Sequence, residues 1–306
     1  MDAWTPASAT LLFASLGDNL PPAVILALGA FLLYMWLFAV GGAWGSFLNV
    51  VVYRLPLGKN IVYPGSSCPR CGHAIRLWHN LPILGWLLLG GKCRDCKLPI
   101  SARYPLVEFV MATIFIGVAL VLVEFLKGSQ SVLWASHVEG IPRDPVPFWS
   151  AYLLLMLLYF TLLGAALIDF DRQPMPWSLF LPVMFTGAFA PLLWREIRPL
   201  PAWHGWNLAG PQGALVDGAA GAALGALLGL AVSAGWRITS RQRPTFRPML
   251  ALVTVGLVFG WQVTLVITLL TSIVAVPALG LVRALGMKES FPWPAWLLVL
   301  AVLVPC

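Results

Sequence analysis

The sequence predicts an all-α, polytopic membrane helical bundle of about eight spans, carrying a small zinc-stapled cytoplasmic loop. Three observations lead there. Hydrophobic residues make up 59% of the 306 residues and charged ones only 10%, against about 25% charged in soluble domains. Apolar runs of about 20 residues, the length that crosses a bilayer as a helix, recur along the chain. Between the first two runs lies a polar segment holding two cysteine pairs, Cys68-Pro-Arg-Cys71 and Cys93-Arg-Asp-Cys96.

Taken in order, the spans fall near 23–44, 105–126, 150–168, 178–194, 214–236, 249–283 and 291–305. At about 1.5 Å per residue, 249–283 is too long for one crossing, so it counts as two, with Pro277 marking a break in the second. A soluble helical core would alternate polar with apolar positions along these segments, and none of them does. Residues 1–22 contain Asp2 and Asp18 but no Lys or Arg. Without the basic start of a signal peptide, this terminus is expected to stay in place on the external side.

Charge then sets the orientation. Of the nineteen Lys and Arg, eight lie in 53–104: Arg54, Lys59, Arg70, Arg76, Lys92, Arg94, Lys97 and Arg103. Four more, Arg237, Arg241, Arg243 and Arg247, lie in 237–248. Threading the spans from an outside start puts both basic loops in the cytoplasm, as the positive-inside rule requires. The net charge of +7 reports topology, so no nucleic-acid partner is expected; the partner is the lipid bilayer. The chain divides into 1–52, an external terminus and first span; 53–104, the cytoplasmic loop; and 105–306, the bundle with the candidate active site.

Paired C-x-x-C motifs at this separation have the spacing of a closed four-thiolate zinc site. Two disulfides or four buried thiols are the plainer readings, but a reducing cytoplasm disfavours disulfides. Zinc held by Cys68, Cys71, Cys93 and Cys96 would have no open coordination position, so its role is structural. Arg70, Lys92, Arg94 and Lys97 stand beside the ligands and offset the charge of four thiolates around Zn²⁺. His73 and His79 lie in the same loop but are not needed to complete the tetrahedron. Cys306 is separate from the set.

The flanks carry a resemblance. The chain reads Gly45-Ser-Phe-Leu-Asn-Val-Val-Val-Tyr-Arg-Leu-Pro56 before the cysteines, then Asn80-Leu-Pro, Gly-Lys-Cys-Arg-Asp-Cys96 and Arg103-Tyr-Pro-Leu-Val-Glu108. Over residues 42–110 this resembles the prepilin peptidase family, membrane aspartic endopeptidases of type IV pilus and type II secretion systems. The resemblance implies a hydrolase of the bacterial inner membrane that cuts the basic leader from prepilin or pseudopilin substrates after a glycine, at the cytoplasmic face. It also implies a possible methyltransferase step on the new amino terminus, with S-adenosylmethionine as donor. Cleavage in that family uses two aspartates. One carboxylate is ionised to take a proton from water, while the other stays protonated to polarise the scissile carbonyl.

By the same resemblance, Asp169 in Leu167-Ile168-Asp169-Phe170-Asp171-Arg172 takes the place of the first catalytic aspartate. The proline-aspartate pair that should follow reads Pro176-Trp177. The second aspartate is missing. Counting back from Gly256-Leu-Val-Phe-Gly260-Trp261-Gln262, its G-x-G-D motif falls on Thr245-Phe246-Arg247-Pro248, and no Asp or Glu occurs between Gly218 and Lys288. Three carboxylates are conceivable partners for Asp169. Asp171 is nearest, but residues i and i+2 of a helix do not face each other. Glu108 starts the second span just after Pro105, where the helix dipole also favours an acid for purely structural reasons. Asp217 starts the fifth span, on the opposite side in this threading.

Trp149, Trp177 and Trp194 sit near span ends and read as interfacial anchors. Gly221, Gly225 and Gly229 recur at four-residue spacing and favour close helix packing. No internal repeat is evident. Two functions follow: a leader peptidase, or a non-catalytic homologue that binds prepilin-like helices or assembly partners.

Overall fold

Helix α1, Pro22–Arg54, begins with a proline in its first turn, where a missing N–H costs nothing. A turn of 3-10 helix, Leu55–Leu57, continues it and is closed by Gly58 in the left-handed region. The computed structural model describes residues 21–128, 145–193, 211–240 and 247–284. After α1 come the short α2, Leu84–Leu88, then α3, Arg103–Gly128; α4, Pro145–Phe170; α5, Leu181–Leu193; α6, Pro211–Ser240; α7, Arg247–Phe259; and α8, Trp261–Ala284. No strand occurs among the described residues, and the only β features there are two isolated bridges in the loop between α1 and α3.

Four stretches are long and apolar enough to cross a membrane: Pro22–Leu57, Arg103–Val123, Phe148–Phe170 and Leu215–Ala234. Trp177–Ala190, Pro248–Phe259 and Trp261–Ile273 are shorter apolar helices. The runs expected from the sequence up to residue 283 are therefore helical, and the one at 291–305 lies outside the described residues. The break within 249–283 differs from expectation. The chain breaks at Gly260, where φ is +81°, and α8 runs on through Pro277. Only glycine adopts that backbone angle without a Cβ penalty, whereas a membrane helix tolerates an internal proline.

Two helix pairs form the frame, and both are joined where glycine lets backbones touch. On α1, a Cβ at Gly41 would lie 2.7 Å from the Ala112 Cα of α3, and one at Gly45 would lie 2.6 Å from the Glu108 Cα. On α6, Gly221 faces Gly256 and Gly260, Gly225 faces Leu252 and Val253, and Gly229 faces Met249. Lipid offers no hydrophobic drive for helices to associate, so such small-residue seams, with their dense van der Waals contact, join membrane helices. The α6 stripe thus has the packing role its spacing suggested.

Helix α4 fills the space between the pairs. Tyr152, Met156, Leu158, Tyr159, Leu162 and Ile168 are all buried, and they join one apolar core with Leu48 of α1, Met111 of α3, Val183 of α5 and Leu252 of α7. The Tyr152 hydroxyl donates to the Phe115 carbonyl at 2.9 Å, which satisfies the one polar atom that its burial would strand.

Gly225→Leu would push a side chain into the Leu252–Val253 backbone, and overpacking there should cost about 3 kcal/mol or more. Gly29 has open space around its Cα, so Gly29→Ala should leave stability unchanged or slightly raised. Thermal unfolding of the two variants in one detergent checks the contrast.

Candidate functional site

Each cysteine pair forms the same small hairpin. In the first, Cys68 N–H donates to the His73 carbonyl and Gly72 N–H to the Cys68 carbonyl, both at 2.9 Å. In the second, Cys93 N–H donates to the Leu98 carbonyl at 2.8 Å and Lys97 N–H to the Cys93 carbonyl at 3.0 Å. Bridges Ser67–Ala74 and Lys92–Pro99 close the two. The residue after the second cysteine is left-handed in both, Gly72 at +75° and Lys97 at +60°. This is an internal repeat that inspection of the sequence missed. Its only trace there is the shared Cys-x-x-Cys followed four residues later by isoleucine, Ile75 and Ile100.

The two hairpins bring four sulfurs together, all within 4.8 Å of one another. Cys68 Sγ lies 3.9 Å from Cys96 Sγ, and Cys71 Sγ lies 4.0 Å from Cys93 Sγ. A tetrahedron with metal–sulfur bonds of about 2.3 Å has an edge of about 3.8 Å, so the cluster can hold a metal ion as it stands. His73 and His79 are not part of it. The amides of Cys71 and Arg70 lower the Cys68 thiol to about 6. At Cys71 the His73 amide works in the same direction, but desolvation and the neighbouring thiols outweigh it and push that thiol up to about 11.

Between the hairpins the chain dips against the first helix pair. Pro82 packs on Gly42, with a Cβ there only 3.1 Å away. Ile83 has φ +62° and ψ −55°, and Leu84 N–H bonds the Pro82 carbonyl at 2.5 Å. That is a strained three-residue turn of the rare positive-φ kind. The Glu108 carboxylate holds it by accepting the Ile83 N–H at 2.6 Å. Trp86 Nε1 donates to the Ile100 carbonyl at 3.0 Å and ties the inner arm to the second hairpin.

The acids named from the sequence end up in different places. Asp169 is half-buried in the last turn of α4. That turn ends as a Schellman motif, with Gln173 N–H to the Ile168 carbonyl at 3.1 Å, Arg172 N–H to the Asp169 carbonyl at 3.0 Å, and Arg172 at φ +56°. The helix has therefore ended by Asp171, whose carboxylate turns to Arg103 at the start of α3. The guanidinium donates to both oxygens, at 2.5 and 2.8 Å. Each charge sits at the unfavourable end of its own helix dipole, so the pair compensates both ends at once. Glu108 is engaged with Ile83, and Asp217 is buried on α6 against Gly260. Of the missing motif's counterpart, Arg247 and Pro248 are the first two residues of α7; Thr245 and Phe246 lie outside the described residues.

Residues 39–122 match the model of the Bacterial Peptidase A24 N-terminal domain. A Prepilin leader peptidase/N-methyltransferase of Pseudomonas aeruginosa is 32% identical over 82% of this chain and 81% of its own. A protein of the same name from Aeromonas hydrophila is 29% identical over 82% and 81%. A Type 4 prepilin-like proteins leader peptide-processing enzyme of Escherichia coli is 35% identical over 51% of this chain and 55% of its own. No solved structure matches significantly.

Breaking the half-exposed Arg103–Asp171 pair should cost about 1 kcal/mol. A cycle of Arg103→Met, Asp171→Asn and the double variant, followed by melting temperature, should recover a coupling of that size and sign, weakening as salt is added.

Proposed function

The chain belongs to the prepilin leader peptidase/N-methyltransferase family, and from that membership we propose that it cleaves the leader of prepilins or pseudopilins at the cytoplasmic face of the bacterial inner membrane. The observation that carries this reading is the 32% identity running through four fifths of both this chain and the Pseudomonas aeruginosa relative. Residues 53–104 then form the cytoplasmic loop and 105–306 the bundle with the reacting groups. The ion in the loop is zinc, held by Cys68, Cys71, Cys93 and Cys96. With four protein ligands it closes the loop and contributes no Lewis-acid step.

Asp169 is the catalytic carboxylate in this reading. Ionised, it accepts a proton from the water that attacks the carbonyl of the glycine before the cut, and a protonated partner donates to that carbonyl oxygen. The Schellman turn fixes the backbone beneath Asp169, and the Arg103–Asp171 pair anchors the same end of α4 to α3. Asp171 is thereby a positioning residue. Of the other acids named from the sequence, Glu108 is the candidate proton donor, although its carboxylate also holds the Ile83 turn. Methylation of the new amino terminus, with S-adenosylmethionine as donor, is the second activity proposed from the relatives' name.

The alternative is a homologue that binds prepilin helices without cutting them, which the relatives' names do not favour. Pro248 stands where the family's second aspartate is expected, buried in the first turn of α7.

Membranes carrying the chain should shorten a co-expressed prepilin, and Asp169→Asn should abolish this. Uncut prepilin beside well-expressed protein would leave only the binding reading. Two substitutions at Glu108 separate its roles. Glu108→Gln keeps an acceptor for Ile83 N–H but cannot donate as an acid, so a proton donor predicts lost cleavage with unchanged melting temperature. Glu108→Ala removes the staple as well, and should lower stability by about 1–3 kcal/mol. Transfer of a tritium-labelled methyl group to the shortened pilin reads the second activity. Removing the metal with a chelator should loosen residues 68–96, seen as faster proteolysis there, and one zinc per chain should be recovered from the untreated protein.

A further inference from the structure

The inner arm between the two cysteine hairpins has a surface that the zinc role does not use. From Leu77 to Gly91 it contains no charged residue, with Arg76 before it and Lys92, Arg94 and Lys97 after. Its large apolar side chains point outward. Leu77 is 85% exposed, Trp78 75% and Leu88 73%, and Leu84 and Leu87 are also more than half exposed. Leu84, Leu87 and Leu88 stand at i, i+3 and i+4, so they form one face of α2. A loop in water would gain nothing from such a face, and none of these residues joins the protein's own core.

The depth of the arm says what covers it. Pro82 lies against Gly42 of α1, which stands before Arg54 by about 18 Å of helix at 1.5 Å per residue. Ile83 is bonded to Glu108, about one and a half turns inside α3 from Arg103. The arm therefore lies alongside the spans, below the level of the Arg103–Asp171 pair. At the same level Leu106 and Phe109 of α3 are exposed, so the apolar surface continues from the spans onto the arm. Backbone hydrogen bonds close within the arm around α2, as a lipid setting favours. Leu87 N–H bonds the Ile83 carbonyl, Leu89 N–H the Gly85 carbonyl, Gly90 N–H the Leu87 carbonyl and Gly91 N–H the Trp86 carbonyl.

We propose that this arm is seated in the lipid bilayer, with Leu84, Leu87 and Leu88 among the acyl chains and Trp78 at headgroup level. The flanking Arg76, Lys92, Arg94 and Lys97 then meet anionic headgroups, a charge match worth most where phosphates crowd the surface. Trp78 suits the boundary because its ring is apolar and its N–H polar. The metal-holding hairpins are thereby carried on the membrane surface and do not project freely from it.

Spin labels test this in the full, metal-loaded chain, reconstituted in vesicles containing phosphatidylglycerol. Single cysteines are placed at Leu84, Leu88, Leu28 of α1 and Val62, between α1 and the first cysteine hairpin, in a Cys306→Ser background. Retained metal content verifies that each variant is folded. Collisions with oxygen should exceed those with a water-soluble nickel chelate several-fold at 84 and 88, as at 28, and the order should reverse at 62. Equal behaviour at 84, 88 and 62 would place the arm in water and overturn the proposal. Low collision with both reagents would mean that protein covers the face, which also overturns it. On the unaltered protein, a bilayer-confined photolabel should mark the peptide 77–91 together with α1. Marking of α1 alone would refute the assignment.

Discussion

The fold depends on how closely two backbones can approach inside a bilayer. Helices there gain nothing by hiding apolar side chains from lipid, so lasting pairs need direct backbone contact over several turns. Gly41 and Gly45 supply it between α1 and α3, and Gly221, Gly225 and Gly229 between α6 and α7. Once those two pairs exist, α4 has a slot between them, and its large side chains become the common core. The candidate acid at the end of α4 is therefore placed by this shared core together with the Arg103–Asp171 pair beside it.

From the first pair outward, constraint is passed on in short steps. The α1–α3 seam presents Gly42 and Glu108, which seat the strained turn at Ile83. That turn aims α2, and Trp86 of α2 binds the carbonyl of Ile100, directly after the second hairpin. A positive φ at a β-branched residue costs energy of the order of 1–3 kcal/mol, so the surroundings must over-determine it. A carboxylate accepting the turn's own N–H is one such device. Glu108 thus has a structural task that its place in the helix's first turns only half suggests.

What the sequence revealed follows from the range of the interaction concerned. Span positions and the clustering of the four cysteines were legible because each rests on local pattern: apolar length for α1, α3, α4 and α6, and cysteine spacing for the tetrad. The glycine stripe on α6 was legible for the same reason. Its counterpart on α1 carried an equal signal in Gly41 and Gly45, but there the glycines merge into a longer motif. The two helices within 249–283 were expected from length, but the break at Pro277 in the second was not found, because a membrane helix tolerates an internal proline, while the boundary at Gly260 depends on a left-handed angle that only glycine takes freely. The Arg103–Asp171 pair joins residues 68 apart and has no local signature. The hairpin repeat was hidden because the shared elements are hydrogen bonds and backbone angles, which Gly72 and Lys97 satisfy with unlike side chains.

That repeat bears on how the loop assembles. Each hairpin is held by its own short-range bonds and brings two sulfurs, so each is a complete half-clasp before the other arrives. Closing the 21-residue tether between them therefore joins two preformed halves and not four separate cysteines.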